Sequence, residues 1–242
     1  MNLLVKLGKA ALPPRAREYL RARHRDLVFR RAMRRYLTDP EAAIAPGSTV
    51  MPDLVYGWGN DFWSALEEYL TACVRAAMRA DGPILECGSG LTSIVVGAIA
   101  QRAGTTMWSL EHNPEWGRRV QDRLTRYRID AVRLSSAPLK DYRGFTWYDP
   151  PLDRMPDRFA FVVCDGPPGM TRGGRYGLAP VMGDRLKPGC VILLDDASRQ
   201  EEREIAERWE AELGATSELL GDRKPYIRLT VGHEMLDGAD LH

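Results

Sequence analysis

Three carboxylates stand directly after apolar runs. Asp165 follows one in FVVCDGPPGM (161–170), and Asp195 and Asp196 end another in CVILLDD (190–196). An acid at such a point can be a turn former, a metal ligand or a catalytic group, depending on what is brought beside it. Three acids together require a cation or strongly shifted pKa values. All-oxygen ligands suit a hard divalent ion such as Mg2+, Ca2+ or Mn2+, so Asp165, Asp195 and Asp196 are candidate metal ligands. Asp165 and Asp196 are also candidate catalytic acids that take a proton, unless a bound ion alone lowers the pKa of an acceptor hydroxyl. The plainer alternative is that Asp165 orients a turn and that Asp195 and Asp196 cap the next helix.

A second group lies upstream. ECGSG (86–90) supplies Glu86, Cys87, Gly88, Ser89 and Gly90, and Glu111 comes 23 residues after Gly88. The glycines permit a tight turn and close approach of a ligand to the backbone. A carboxylate at the position of Glu111, after the next strand, accepts hydrogen bonds from ribose hydroxyls. His112 follows it and is read as a neighbour of the nucleoside site rather than as a base. A GxGxxG fingerprint fails at its third glycine, where Ser93 stands, and no GxxxxGK[ST] phosphate loop occurs. MTRGGRYG (170–177) offers Arg172, Arg175 and Tyr176 as acceptor contacts, suited to an anionic or sugar-like molecule; a solvated loop is the alternative. In VYGWGN (55–60), Tyr56 and Trp58 either fold over the ligand or staple a helix to the domain.

These residues need elements to position them. PILECG, TTMWSLE, DAVRLSS, RFAFVVCDG and CVILLDD read as strands, separated by helical stretches such as LTSIVVGAIAQRA and PEWGRRVQDRLTRYR. YGLAPVMGDRL reads as a helix stopped by Lys187-Pro188-Gly189, and TSELLGDRKPYIRLTV as two strands around a Gly-Asp turn. Strands alternating with helices predict an α/β fold with a largely parallel sheet and an antiparallel C-terminal end. Upstream, a helix is expected from Asn60 or Asp61 to Asp81-Gly82, preceded by a Pro- and Gly-rich linker over 40–60.

Residues 14–37 read as a basic helix, and residues 1–40 carry eleven Lys/Arg against three Asp/Glu although the chain's net charge is only +1. Packing on the domain or on a second subunit is one role; contact with an anionic membrane surface is another. No nucleic-acid motif accompanies the charge. The domain division expected is 1–55 for this extension and linker and 56–242 for the catalytic or binding domain. Cys73, Cys87, Cys164 and Cys190 show no CxxC spacing, so reduced thiols and a cytoplasmic setting are expected. The N-terminal apolar stretch, broken by Lys6 and Lys9, is too short for a signal peptide.

The motifs LECGSG, SLEHN, RLSSAP, VVCDGPPG and VILLDDA, in this order, resemble those of class I S-adenosylmethionine-dependent methyltransferases over roughly residues 55–232. The resemblance implies a doubly wound seven-stranded sheet with a reversed last strand. It implies that the Gly88–Gly90 turn holds the methionine end of the cofactor, that Ser93 touches its carboxylate, that Glu111 binds the ribose and that Ser136 flanks the adenine. The three aspartates are similar to the metal site of catechol- and caffeoyl-CoA-type O-methyltransferases. Two departures stand out: Asp196 replaces an Asn, and Pro168 replaces the Lys that serves as base in the catechol type. The expected function is methyl transfer from S-adenosylmethionine to an oxygen of a small-molecule or saccharide-like acceptor. A nucleotide-dependent oxidoreductase, and a binding module that works through the basic helix, are the rivals.

Overall fold

The computed structural model describes residues 13–59 and 66–232. The chain divides into two compact units, Met1–Glu67 and Glu68–His242.

In the first unit, α1 (Pro14–Thr38) starts at a proline, whose missing N–H costs nothing there. It buries Phe29, Ala32, Met33 and Tyr36, one face at helical spacing, and leaves Tyr19, Leu20 and Leu27 exposed. The region expected to be a linker holds α2 (Pro40–Ala43), capped by the Asp39 side chain, and α3 (Val50–Trp58). Pro40 and Pro52 fall in first turns, so they open helices here instead of breaking them. Gly57 lets α3 approach α1: a Cβ there would lie 2.6 Å from Phe29 Cβ. The compact unit that contains this packing runs to Glu67. The expected helix start at Asn60 or Asp61 lies outside the described residues; α4 is described over Glu67–Arg79.

The second unit carries β1 (Ile84–Cys87), α5 (Leu91–Arg102), β2 (Met107–Glu111), α6 (Pro114–Tyr127), β3 (Val132–Ser136), β4 (Leu139–Asp141), β5 (Thr146–Tyr148), β6 (Phe159–Cys164), α7 (Leu178–Met182), β7 (Leu186–Leu194), α8 (Gln200–Leu213), β8 (Thr216–Leu220) and β9 (Tyr226–Thr230). The main sheet has seven strands in the order β3-β2-β1-β6-β7-β9-β8. All pairings from β3 to β7 are parallel, and β9 runs antiparallel to both neighbours. This is the doubly wound sheet with a reversed C-terminal strand that the sequence predicts.

Burial explains the pattern. Every residue of β6 is buried, as a central parallel strand covered on both faces requires. α5 is buried from Leu91 to Ala100, and Gly97 is obligatory because a Cβ there would overlap Val132 Cγ2. α6 opens on Pro114 with Asn113 accepting from the N–H groups of Glu115 and Trp116 at 3.0 and 3.1 Å. The four cysteines are free and buried. No described helix is long and apolar enough to cross a membrane.

Two local expectations fail, and one element carries no readable sequence signal. The β4–β5 hairpin was not anticipated, because three-residue strands carry too little periodicity. The segment 177–186 forms only the short α7 and a 3-10 turn over Gly183–Arg185. β7 runs straight through Lys187-Pro188-Gly189, where the sequence predicts a break. A register shift from Phe159↔Leu186 to Phe161↔Val191 absorbs those residues as an irregularity in the strand.

Candidate functional site

The order of the strands reverses between β1 and β6, and ligands of such sheets bind outside the carboxyl ends at that point. The register decides what stands there. Cys87 pairs with Cys164, and Cys164 with Leu194, so the next residues, Gly88, Asp165 and Asp195, lie side by side. On the other flank Cys87 pairs with Leu110, and Glu111 with Ser136. One edge therefore carries the turn glycine, the ribose-type acid and the aspartates.

Gly88 has a φ of +89°, a conformation glycine adopts without strain, and a Cβ on it would press on Gly166 Cα and N at 3.2 Å. The loops after β1 and β6 thus touch backbone to backbone. Gly90 differs: its φ of 178° is ordinary extended backbone, and a Cβ there would meet open space. That space, at the start of α5, is where a ligand can approach. Glu111 is 6% exposed and holds the loop. Its carboxylate accepts from the Ser89 N–H at 3.2 Å, the Ser89 hydroxyl at 2.7 Å and the Asn113 N–H at 2.7 Å. His112 Nδ1 lies 3.3 Å from Glu111 Oε1, which keeps acceptor capacity for a further donor. Ser136 is exposed beside it.

Glu86 and Ser93 do not face this edge. Glu86 is fully buried and accepts from the hydroxyls of Thr92 at 2.5 Å, Ser93 at 2.6 Å and Ser109 at 2.5 Å. Burial pushes its carboxyl up to about 7, against those hydrogen bonds. Ser93, also fully buried, donates to Glu86 and accepts the Gly90 N–H at 2.9 Å. Both hydroxyl functions are spent, so Ser93 shapes the loop and presents no donor for a cofactor carboxylate. Cys87 is buried, and its carbonyl accepts the Asp165 N–H at 3.0 Å. Trp58 belongs to the first unit, where it is buried and its ring centroid lies 5.9 Å from that of Phe29. Tyr56 there hydrogen-bonds His24.

The aspartates converge: one oxygen from each of Asp165, Asp195 and Asp196 lies within 4.8 Å of the others. Asp196 adopts φ +64°, a left-handed conformation that Asp tolerates better than most residues. The sequence missed what stands among them. Arg175, with a side chain 2% exposed, donates to Asp165 Oδ1 at 3.0 Å, Asp196 Oδ2 at 2.7 Å and the Asp195 carbonyl at 2.5 Å, and lies 3.8 Å from Glu202. Lys224, in the turn between β8 and β9, reaches Asp195 Oδ2 at 2.7 Å and Asp196 Oδ1 at 2.9 Å. Arg199 lies 3.2 Å from Asp196 Oδ2. Four carboxylates thus meet three cations, which leaves one negative charge in excess. Burial, and next the Asp195 charge, push Asp165 up to about 8 against the pull of Arg175 and Lys224. Desolvation opposes ionisation of Asp196, but Arg175 and Lys224 outweigh it and hold its carboxyl below the usual range. Asp165 is the more open acid, its side chain 25% exposed against 12% for Asp196 and none for Asp195.

The three candidate acceptor residues separate. Arg175 turns inward and is buried, so it is not available to an acceptor. Arg172 is exposed and pairs with Asp141. Tyr176 donates to Glu212 at 2.8 Å, and the Arg208 guanidinium lies 3.5 Å from its ring centroid. Tyr148, by contrast, was not singled out in the sequence. Its hydroxyl is buried without a partner and stands where a Gly166 Cβ would lie. No sequence signal marks it, because β5 is too short to read.

No family model matches the chain, and no curated protein matches it. Solved structures do. The precorrin-6y C5,15-methyltransferase of Geobacter metallireducens superposes with a TM-score of 0.54 at 19% identity, covering 71% of this chain and 91% of that one. The O-methyltransferase of Bacillus cereus in complex with SAH gives 0.55 at 14% identity, covering 85% and 91%. The SAH-bound methyltransferase of Podospora anserina gives 0.53 at 16% identity, covering 71% and 80%. The resemblance carried by the five motifs is thus matched by the strand order and by whole-domain superposition, and the chain has the class I methyltransferase fold.

Proposed function

We propose that the protein transfers a methyl group from S-adenosylmethionine to an oxygen of a small-molecule or saccharide-like acceptor. The observation that carries the reading is the register that sets Gly88, Glu111 and Asp165 along one sheet edge at the switch point. The open space at Gly90 and the remaining acceptor capacity of Glu111 suit a nucleoside-bearing ligand, with Ser136 exposed beside them. When bound, S-adenosylmethionine supplies an electrophilic methyl group. The chain's own residues orient the two reactants, exclude water and receive a proton. Asp165 is the acid best placed to receive that proton. It is the most open of the three and titrates near neutrality, where a general base is most effective. Asp196 is held below the usual carboxylate range by Arg175 and Lys224 and is a poorer base.

The oxidoreductase rival lacks support at Ser93, which is buried on Glu86 where a third glycine would admit close helix packing. A pure binding module would have no use for an open acid beside the Glu111 loop.

The test is release of S-adenosylhomocysteine from S-adenosylmethionine over a panel of hydroxylated acceptors. Turnover should appear with at least one acceptor, and Asp165→Asn should lower kcat/KM by about 100- to 10,000-fold. Wild-type kcat/KM should climb with pH and level off above about 8, because the base works only when ionised. A flat profile, or an active Asp165→Asn enzyme, would remove the base from the proposal.

A further inference from the structure

We propose that Arg175 and Lys224 stand in the place of a divalent ion, making the acid cluster a self-contained, metal-free site. The three aspartates offer six carboxylate oxygens, and four already face a side-chain cation: Asp165 Oδ1, Asp195 Oδ2 and both oxygens of Asp196. The two left are Asp165 Oδ2 and Asp195 Oδ1, the latter buried without a partner. A hard divalent ion needs about six oxygens, with several anionic. The guanidinium and the ammonium together carry the charge that one such ion would bring. Arg175 cannot lose its proton, and its contacts with Asp165, Asp196 and the Asp195 carbonyl run across the middle of the cluster. An added ion would face both cations at close range and gain only one net negative charge. The same reasoning accounts for Asp196 as the second acid of the pair after β7: it is the carboxylate that Arg175, Arg199 and Lys224 all contact.

A consequence follows for the acceptor, and this part rests on the methyl-transfer reading. Without a bound ion there is nothing to chelate a pair of adjacent oxygens. A single hydroxyl delivered to Asp165 is sufficient, and the cations act as positioning groups that set the charge of Asp165 without touching the acceptor.

The experiment uses Mn2+ as the probe, free ion being counted by its paramagnetic resonance signal at about 0.1 mM, where a built oxygen site would bind it. Wild-type protein should leave the ion free. Lys224→Met, and Arg175→Met with Lys224→Met where that double variant folds, should bind Mn2+ at least about tenfold more tightly than wild type. Binding by wild type that disappears in Asp195→Asn would overturn the proposal. So would a folded Lys224→Met protein that gains no affinity, since the cations would then not be what excludes the ion. Binding of S-adenosylhomocysteine to the same samples is read separately by calorimetry: its absence would strike the proposed function and leave the Mn2+ result standing.

Discussion

The two flanks of the sheet edge house buried acids in opposite ways. On the β1–β2 side, Glu86 is satisfied by three hydroxyls and Glu111 by backbone and hydroxyl donors. Apart from the 3.3 Å approach of His112 to Glu111, no cation among the described residues pairs with either of these acids. On the β6–β7 side, the aspartates and Glu202 are compensated by Arg175, Lys224 and Arg199. Held by neutral donors, fully buried Glu86 is shifted toward its protonated form, and Glu111 keeps acceptor capacity for a polar, uncharged ligand group such as a ribose. Charged partners hold Asp196 below the usual carboxylate range, while burial and the neighbouring Asp195 charge keep Asp165 raised. The first arrangement suits binding; the second suits holding a base near neutrality.

The largest break in this contrast should come from Arg175→Met. It leaves Asp165 without a cation and takes one from Asp196 and from Glu202, and loss of one partner of such a buried pair costs about 3–5 kcal/mol. Urea unfolding would read it, and Arg175→Lys should recover only part, since an ammonium cannot span the same four oxygens. A domain that keeps its stability would show that the cations are incidental.

The pH dependence of the hydroxyl-held acid comes next. Glu86 sits at about 7 in the folded protein against an ordinary 4.5, so the folded state binds the extra proton between those values. Stability should therefore fall as pH rises from about 4.5 to 7 and then level off. The Glu86 contribution is on the order of 3 kcal/mol. Glu86→Gln removes that slope; the difference between the two pH curves is the measurement, because Asp165 and Glu202 also shift upward. Equal slopes would mean that Glu86 stays ionised in the fold.

A smaller effect is expected at the ligand-facing acid. Glu111→Gln should weaken S-adenosylhomocysteine about tenfold in a calorimetric titration, the loss of one good hydrogen-bond set, while leaving unfolding by urea within about 1 kcal/mol. The smallest concerns Arg172, whose exposed pairing with Asp141 argues for a surface role: Arg172→Ala should change kcat/KM by less than about twofold.

Much of the fold was legible because parallel strands covered on both faces write apolar runs, as β6 and β7 do, and because the shorter β1, β2 and β3 alternate with helical stretches. Their ends then located Gly88, Glu111, Asp165 and Asp195 without any knowledge of register. What failed was punctuation: Pro40, Pro52 and Gly57 read as linker signals but serve as helix starts and a close-packing point. The contents of the site were half legible. Side-chain direction is not written in one dimension, so Arg175 read as an acceptor contact although it turns into the acids, and Ser93 read as a cofactor contact although it faces Glu86. Lys224 carries no local signal, being 29 residues from Asp195 in a hairpin turn. Charge balance alone could have demanded it: three converging acids must find cations, and a lysine beside the neighbouring strand is the nearest supply.

The central claim, that this edge binds S-adenosylmethionine, is tested most directly by calorimetric titration with S-adenosylhomocysteine in excess chelator. The account predicts one site per chain with a dissociation constant of about 1–100 μM, no heat from NAD(H), and loss of binding in Gly88→Val, whose side chain would press on Gly166. Binding of NAD(H) in its place, or no binding of S-adenosylhomocysteine by folded wild-type protein, would contradict it.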